Sequence, residues 1–144
     1  MSFKGRLRAG AILRGVVGVI PSAVVTEAVA SAGADFVMID REHGPISRET
    51  MHAMIAATNG TDCAPLVRVP GIEEAEVKIA LDSGAEGIVY PRVRTVGDAE
   101  RCVSLLPTHP QAGAVGDRLQ HIRGMGRRCS TTQGPWEIGS SAVC

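Results

Sequence analysis

Short apolar runs separated by longer amphipathic ones, repeated four times between residues 14 and 107, constrain this chain more than any other feature. "GVVGVI" (15–20) is short and rich in valine, so it reads as a buried strand. "PSAVVTEAVASAG" (21–33) follows as a helix, with Pro21 suited to its start and Gly33 to the position just past its end. "DFVMID" (35–40) is the second strand. Ser47 then caps a helix through "RETMHAMIAATNG" (48–60), with Glu49 in its positive first turn and Asn59-Gly60 closing it. "APLVRVP" (64–70) is the third strand, "EEAEVKIALDSG" (73–84) the third helix, and "EGIVYPRV" (86–93) the fourth strand. Thr95 caps a last helix in which Ala99, Cys102, Val103 and Leu106 recur at i, i+3, i+4 and i+7. Segments 31–39 ("SAGADFVMI") and 82–90 ("DSGAEGIVY") reuse one helix-to-strand junction. Strands buried on both faces and alternating with helices imply a parallel sheet of right-handed βαβ units.

Other features narrow the function classes. Fifteen Lys+Arg balance 15 Asp+Glu, and aromatics make up 3% of residues. Neither a bulk electrostatic attraction to nucleic acid or membrane nor a stacking surface for single strands is expected. The N-terminus is basic and then apolar, but Arg14 and Pro21 interrupt it and Glu27 comes early. A helix followed by a strand is expected there, not a secretory signal, presequence or membrane span. Cys63, Cys102, Cys129 and Cys144 are scattered with no CxxC pair, so reduced thiols in a cytoplasmic protein are expected.

After about residue 111 the pattern is lost. The stretch 112–144 is rich in Gly, Ser and Thr and carries the basic cluster "RGMGRR" (123–128). The expected division is an organised unit over 1–110 and an irregular or divergent tail over 111–144.

In parallel α/β architectures functional groups collect at the C-terminal ends of strands. The second strand ends in Asp40, Glu42 and His43, the third carries Arg68, and the fourth ends at Tyr90-Pro91-Arg92. A histidine beside carboxylates supplies an acid/base group that works near neutral pH, and an arginine fork can hold a carboxylate or an enolate oxygen. That combination suits proton transfer next to a carbonyl. The bland readings are a solvated His43 in a loop and an Arg68 that, alternating with Val67 and Val69, faces solvent on an open sheet or the lumen of a barrel. Arg92 and Arg94 read as surface residues, and His109 and His121 lie in or near the irregular tail. No phosphate loop, GxSxG elbow or HExxH pair occurs.

"VMIDREHGPIS" (37–47), "PLVRVPG" (65–71) and "VKIALDSGAEGIVYPRV" (77–93) together resemble the HpcH/HpaI aldolase family. These are metal-dependent (class II) aldolases of 2-oxo acids, with macrophomate synthase and citrate lyase β-type enzymes as more distant relatives. The resemblance runs from about Phe3 to Pro110 and implies a (β/α)8 TIM-barrel-type fold, here truncated to about four βα units and usually assembled as a homo-oligomer. It implies cleavage or formation of a 4-hydroxy-2-oxo acid from pyruvate enolate and an aldehyde. By motif, His43 matches the acid/base histidine and Asp40 the carboxylate beside it. Glu42 matches the acid near the metal and its water, and Arg68 the arginine on the enolate oxygen. A divalent metal (Mg2+, Mn2+ or Co2+) is implied as a Lewis acid. Its glutamate and aspartate ligands come from the fifth and sixth strands of the family and are not expected in this chain. A "G-x-R-G-x-G" stretch of the family is echoed late by "HIRGMG" (121–126), so a frameshifted, alternatively spliced or shortened tail is one expectation. Two other readings stand beside the aldolase. One is a catalytically inactive half-barrel acting as an interaction module. The other is a CoA-ester lyase of the citrate lyase β-like branch.

Overall fold

A computed structural model describes residues 2–106 and the backbone of 141–143. A short helix α1 (Phe3–Arg8) precedes β1 (Gly15–Gly18), α2 (Ala23–Ser31), β2 (Phe36–Asp40), α3 (Arg48–Ala56), β3 (Ala64–Arg68), α4 (Glu74–Asp82), β4 (Gly87–Pro91), α5 (Val96–Ser104) and β5 (Ser141–Val143). Local chemistry sets most of these ends. Ser22, Ser47 and Thr95 accept backbone N–H groups as N-caps, and Thr95 forms a capping box with Asp98. Gly33 (φ +88) and Gly84 (φ +101) take the left-handed conformation just past α2 and α4, which a Cβ would strain.

The sheet order is β1-β2-β3-β4-β5, and the first four strands pair in parallel. That order never reverses. With right-handed crossovers, an unreversed order puts every helix on the same face, whereas a doubly wound sheet needs a switch point. Accordingly α2 packs on α3 and α3 on α4. The chain is thus α/β with the singly wound arrangement of a TIM-barrel-type sheet.

Period two along the strands sorts their side chains. Ile39, Val67, Val69, Ile88 and Tyr90 form one buried cluster with Met51, Met54 and Ile55 of α3, Val77 and Ala80 of α4, and Cys102 of α5. Each large side chain so buried contributes about 1.5–3 kcal/mol. Asp40 and Arg68 alternate with these residues and take the opposite face, side by side in the β2–β3 register. The N-terminal ends of the strands are closed by α1, where Phe3 stacks edge-on against Phe36 at 5.8 Å and Arg6 pairs with Asp35 at 2.5 Å. β1 lies at the sheet edge with Val16 and Val17 exposed.

The helix expected before the first strand is α1, and Cys63 and Cys102 are buried in the core. No described helix is long and apolar enough to cross a membrane. The boundary near residue 110, His109, His121, the 121–126 motif, the 123–128 cluster, Cys129 and Cys144 lie outside the described residues. Residues 141–143 pair antiparallel with β4. A three-residue strand carries no period of its own, and what selects it is the row of open N–H and C=O groups along the outer edge of β4.

Candidate active site

The site begins where β2 ends. Asp40 is 1% exposed and Arg68 7% exposed. In-register pairing brings them together: Arg68 Nε donates to Asp40 Oδ1 at 2.9 Å and Nη2 to Oδ2 at 2.5 Å. The backbone N–H groups of Glu42 and His43 also donate to Asp40 Oδ1, at 3.0 and 3.2 Å. The chain therefore folds back over its own aspartate as it leaves the strand, the local turn that Asp side chains favour. Burial works to raise the Asp40 carboxyl, but the Arg68 guanidinium and the two backbone donors outweigh it and hold the group below its ordinary value. The same bonds raise Arg68 above its ordinary value, so the pair stays ionised.

This pairing answers the question left by the sequence about Arg68. It lies opposite Val67 and Val69 as the alternation requires, but it is a buried residue clamped by a carboxylate and not a solvated one. Nη1 makes no hydrogen bond among the described residues. Asp40 thus fixes two corners of the guanidinium and leaves the third as a donor for a ligand oxygen.

Glu42 and His43 sit above this pair. Glu42 is largely buried, and three cationic or titratable groups approach its carboxylate without hydrogen-bonding it. Arg68 Nε and His43 Nε2 lie 3.6 Å from Oε2, and Arg92 Nε lies 3.7 Å from Oε1. The imidazole of His43 is 68% exposed. Its carboxylate neighbour is Glu42, whereas Asp40 reaches His43 only through the backbone. By motif, Asp40 matches the carboxylate beside this histidine. The structure divides the two jobs, with Asp40 shaping the turn and Glu42 facing the imidazole.

Five further residues shape the site, and the sequence reading gave them no such role. Arg41 donates to Glu76 in the first turn of α4 and to the Ile46 carbonyl at 3.4 Å, while Arg48 donates to Glu76 at 2.8 Å. This strut ties the loop that bears His43 to the neighbouring helix, and the acidic start of α4 was its only sequence signal. Gly44 is fixed by space: a Cβ there would lie 2.4 Å from the Asp40 carbonyl oxygen. Arg92 reads as a surface residue and is exposed, yet it reaches Glu42 and donates to the Pro70 carbonyl at 3.4 Å. An open groove of about 650 Å³ lies elsewhere, between α4 and α5, lined by Lys78, Leu81 and Leu105 among others.

Hard divalent ions need several oxygen ligands at once. Asp40 has spent both oxygens, Glu42 is flanked by guanidinium groups, and no three His, Cys, Asp or Glu side chains converge among the described residues. These residues do not by themselves fit a divalent ion. The chemistry they offer is that of the side chains: a buried cationic donor, a carboxylate and an accessible imidazole.

Comparison with known proteins places this geometry in context. Residues 20–124 match the family described as HpcH/HpaI aldolase/citrate lyase. A 4-hydroxy-2-oxovalerate aldolase of Novosphingobium aromaticivorans is 34% identical over 80% of this chain and 44% of its own length. A 5-keto-4-deoxy-D-glucarate aldolase of Salmonella paratyphi A is 32% identical over 85% of this chain and 48% of its own. The crystal structure of an HpcH/HpaI aldolase/citrate lyase family protein from Burkholderia cenocepacia superposes with a TM-score of 0.70 at 34% identity, covering 76% of this chain and 44% of that one. The chain spans about half the length of the curated relatives it matches.

Proposed function

Because the chain belongs to the HpcH/HpaI aldolase/citrate lyase family, we propose that Asp40, Glu42, His43 and Arg68 form the acid/base and oxyanion part of a carbon–carbon lyase site. The substrate would be a 4-hydroxy-2-oxo acid, cleaved to pyruvate and an aldehyde. The observation that carries this reading is the Asp40–Arg68 clamp, which leaves one guanidinium corner open beside an accessible histidine.

In the cleavage direction His43 takes the proton of the 4-hydroxyl. The C3–C4 bond breaks as the C4–O bond becomes a carbonyl, and the electron pair passes to the C2 oxygen as an enolate. Arg68 Nη1 donates to that oxygen, and return of a proton to C3 gives pyruvate. A positioned general base is worth about 10²–10⁴-fold in rate, and an oxyanion donor about 10²–10³-fold. Glu42 orients the imidazole and offsets the positive charge it acquires. A divalent metal, homo-oligomeric assembly and the 1–110 unit as the organised part of the chain belong to the same proposal.

A second reading, the inactive half-site acting as an interaction module, draws on the lack of a convergent ligand set among the described residues. Pyruvate release from 4-hydroxy-2-oxovalerate, coupled to lactate dehydrogenase with and without Mg2+ or Mn2+, separates the two. Metal-dependent turnover that falls at least about 100-fold in His43→Gln supports the lyase. Absence of turnover, with no metal retained on gel filtration, leaves the inactive module.

A further inference from the structure

Arg92 is the one non-glycine residue among those described with a positive φ, at 58°. Left-handed backbone is costly for a side chain with a Cβ, and such strain gathers at ligand-contacting positions. Arg92 directly follows β4, so it stands at the same end of the sheet as Asp40, Arg68 and His43. Its Nε lies 3.7 Å from Glu42 Oε1, on the carboxylate whose other oxygen faces Arg68. Its side chain is 66% exposed and its other contact is the long bond to Pro70. Long ion pairs at that exposure bind weakly, so little energy opposes a better partner. Arg68 differs in every respect, being buried and committed to Asp40 at two corners.

We infer that Arg92 is a specificity-determining residue that holds a second carboxylate of the ligand, so that the site favours dicarboxylates over monocarboxylates. The inference rests on the lyase reading for the position of the ligand. One oxygen of the ligand meets Arg68 Nη1, and a second anionic group, carried further along the ligand, meets the Arg92 fork at the rim. Flanking one carboxylate from both sides sets the two guanidinium groups a short ligand's length apart. Arg94, the next cation along, is exposed too, but its recorded bond is a backbone one, to Asp98. It serves as the control.

The test follows the arginine Nε–H signals of the full chain by NMR while malonate, acetate or pyruvate is titrated. Malonate is expected to bind about ten-fold more tightly than acetate, with both Arg68 and Arg92 signals moving. In Arg92→Gln the preference should fall to about two-fold or less, while Arg92→Lys restores part of it and Arg94→Gln leaves it unchanged. Thermal unfolding of each variant checks that the fold is kept. An undiminished malonate preference in Arg92→Gln, or none in the parent, overturns the inference. Pyruvate reports on the lyase reading separately. A pyruvate response at Arg68 in both parent and Arg92→Gln keeps that reading alive even if the malonate preference is absent. No response to any of the three ligands overturns both.

Discussion

Replacing Asp40 with asparagine separates the charge of this residue from its shape. The parent carboxylate is 1% exposed and accepts two bonds from Arg68 and two from the backbone of Glu42 and His43. Asparagine keeps an oxygen for the backbone donors but leaves the buried guanidinium with no hydrogen-bonded counter-charge, only the 3.6 Å approach of Glu42. Breaking one partner of a buried ion pair costs about 3–5 kcal/mol, and the retained backbone bonds put Asp40→Asn near the low end, at about 3 kcal/mol. Asp40→Ala also loses those two bonds, at about 1 kcal/mol each, and should cost about 5 kcal/mol. Adding Arg68→Gln to Asp40→Asn removes the stranded charge. The double variant should therefore be more stable than the sum of the single losses by about 2 kcal/mol. Urea unfolding followed by far-UV circular dichroism reads each value from the midpoint, provided the slope is unchanged. A loss below about 0.5 kcal/mol in Asp40→Asn, or strict additivity in the double variant, would refute the clamp as the organiser of the strand ends.

The same carboxylate makes stability depend on acid. Its folded value lies below the ordinary 3.8, so its contribution is complete above pH 3.8 and disappears as pH falls through the lower folded value. The urea midpoint of the parent should drop in that window, and Asp40→Asn should drop less. The residual drop belongs to groups such as Glu76, held low by the Arg48 and Arg41 guanidinium groups against the cost of burial. Gly44→Ala forces a Cβ to 2.4 Å from the Asp40 carbonyl oxygen and should cost about 1–3 kcal/mol, with faster amide exchange at Glu42 and His43. Ser47→Ala removes the 3.1 Å cap of α3 and should cost about 1 kcal/mol in urea unfolding without altering those amides.

Much of this architecture is legible residue by residue because its causes are local. Ser47 and Thr95 cap their helices through atoms three residues away, and Gly33 and Gly84 end theirs through their own backbone. The apolar runs around Ile39, Val67 and Ile88 announce strands covered on both faces. The arrangement at the strand ends was less legible, because it depends on register. Only the alignment of β2 with β3 sets Asp40 beside Arg68 and turns a lone arginine into a clamped one. Which carboxylate faces His43 is decided by the turn over Asp40, and the motif alone does not encode it. The conformation of Arg92 has no local signature. Glu76 meets Arg41 across 35 positions of chain, and β5 exists only as a partner for β4.

Exchange of the methyl protons of pyruvate for deuterium, followed by proton NMR in D2O with and without Mn2+, tests the central claim most directly. It reads proton transfer next to a carbonyl held by this cluster without needing the aldehyde. The account predicts exchange catalysed by the parent, reduced at least about 100-fold in Arg68→Lys, which loses the forked donor while keeping the charge. His43→Gln should slow cleavage of the 4-hydroxy-2-oxo acid about 100-fold or more, yet shift stability by less than about 0.5 kcal/mol, as expected for an exposed side chain. Exchange that proceeds equally well in Arg68→Lys, or exchange absent from the parent under every metal condition, would contradict the assignment of these strand ends as a working lyase site.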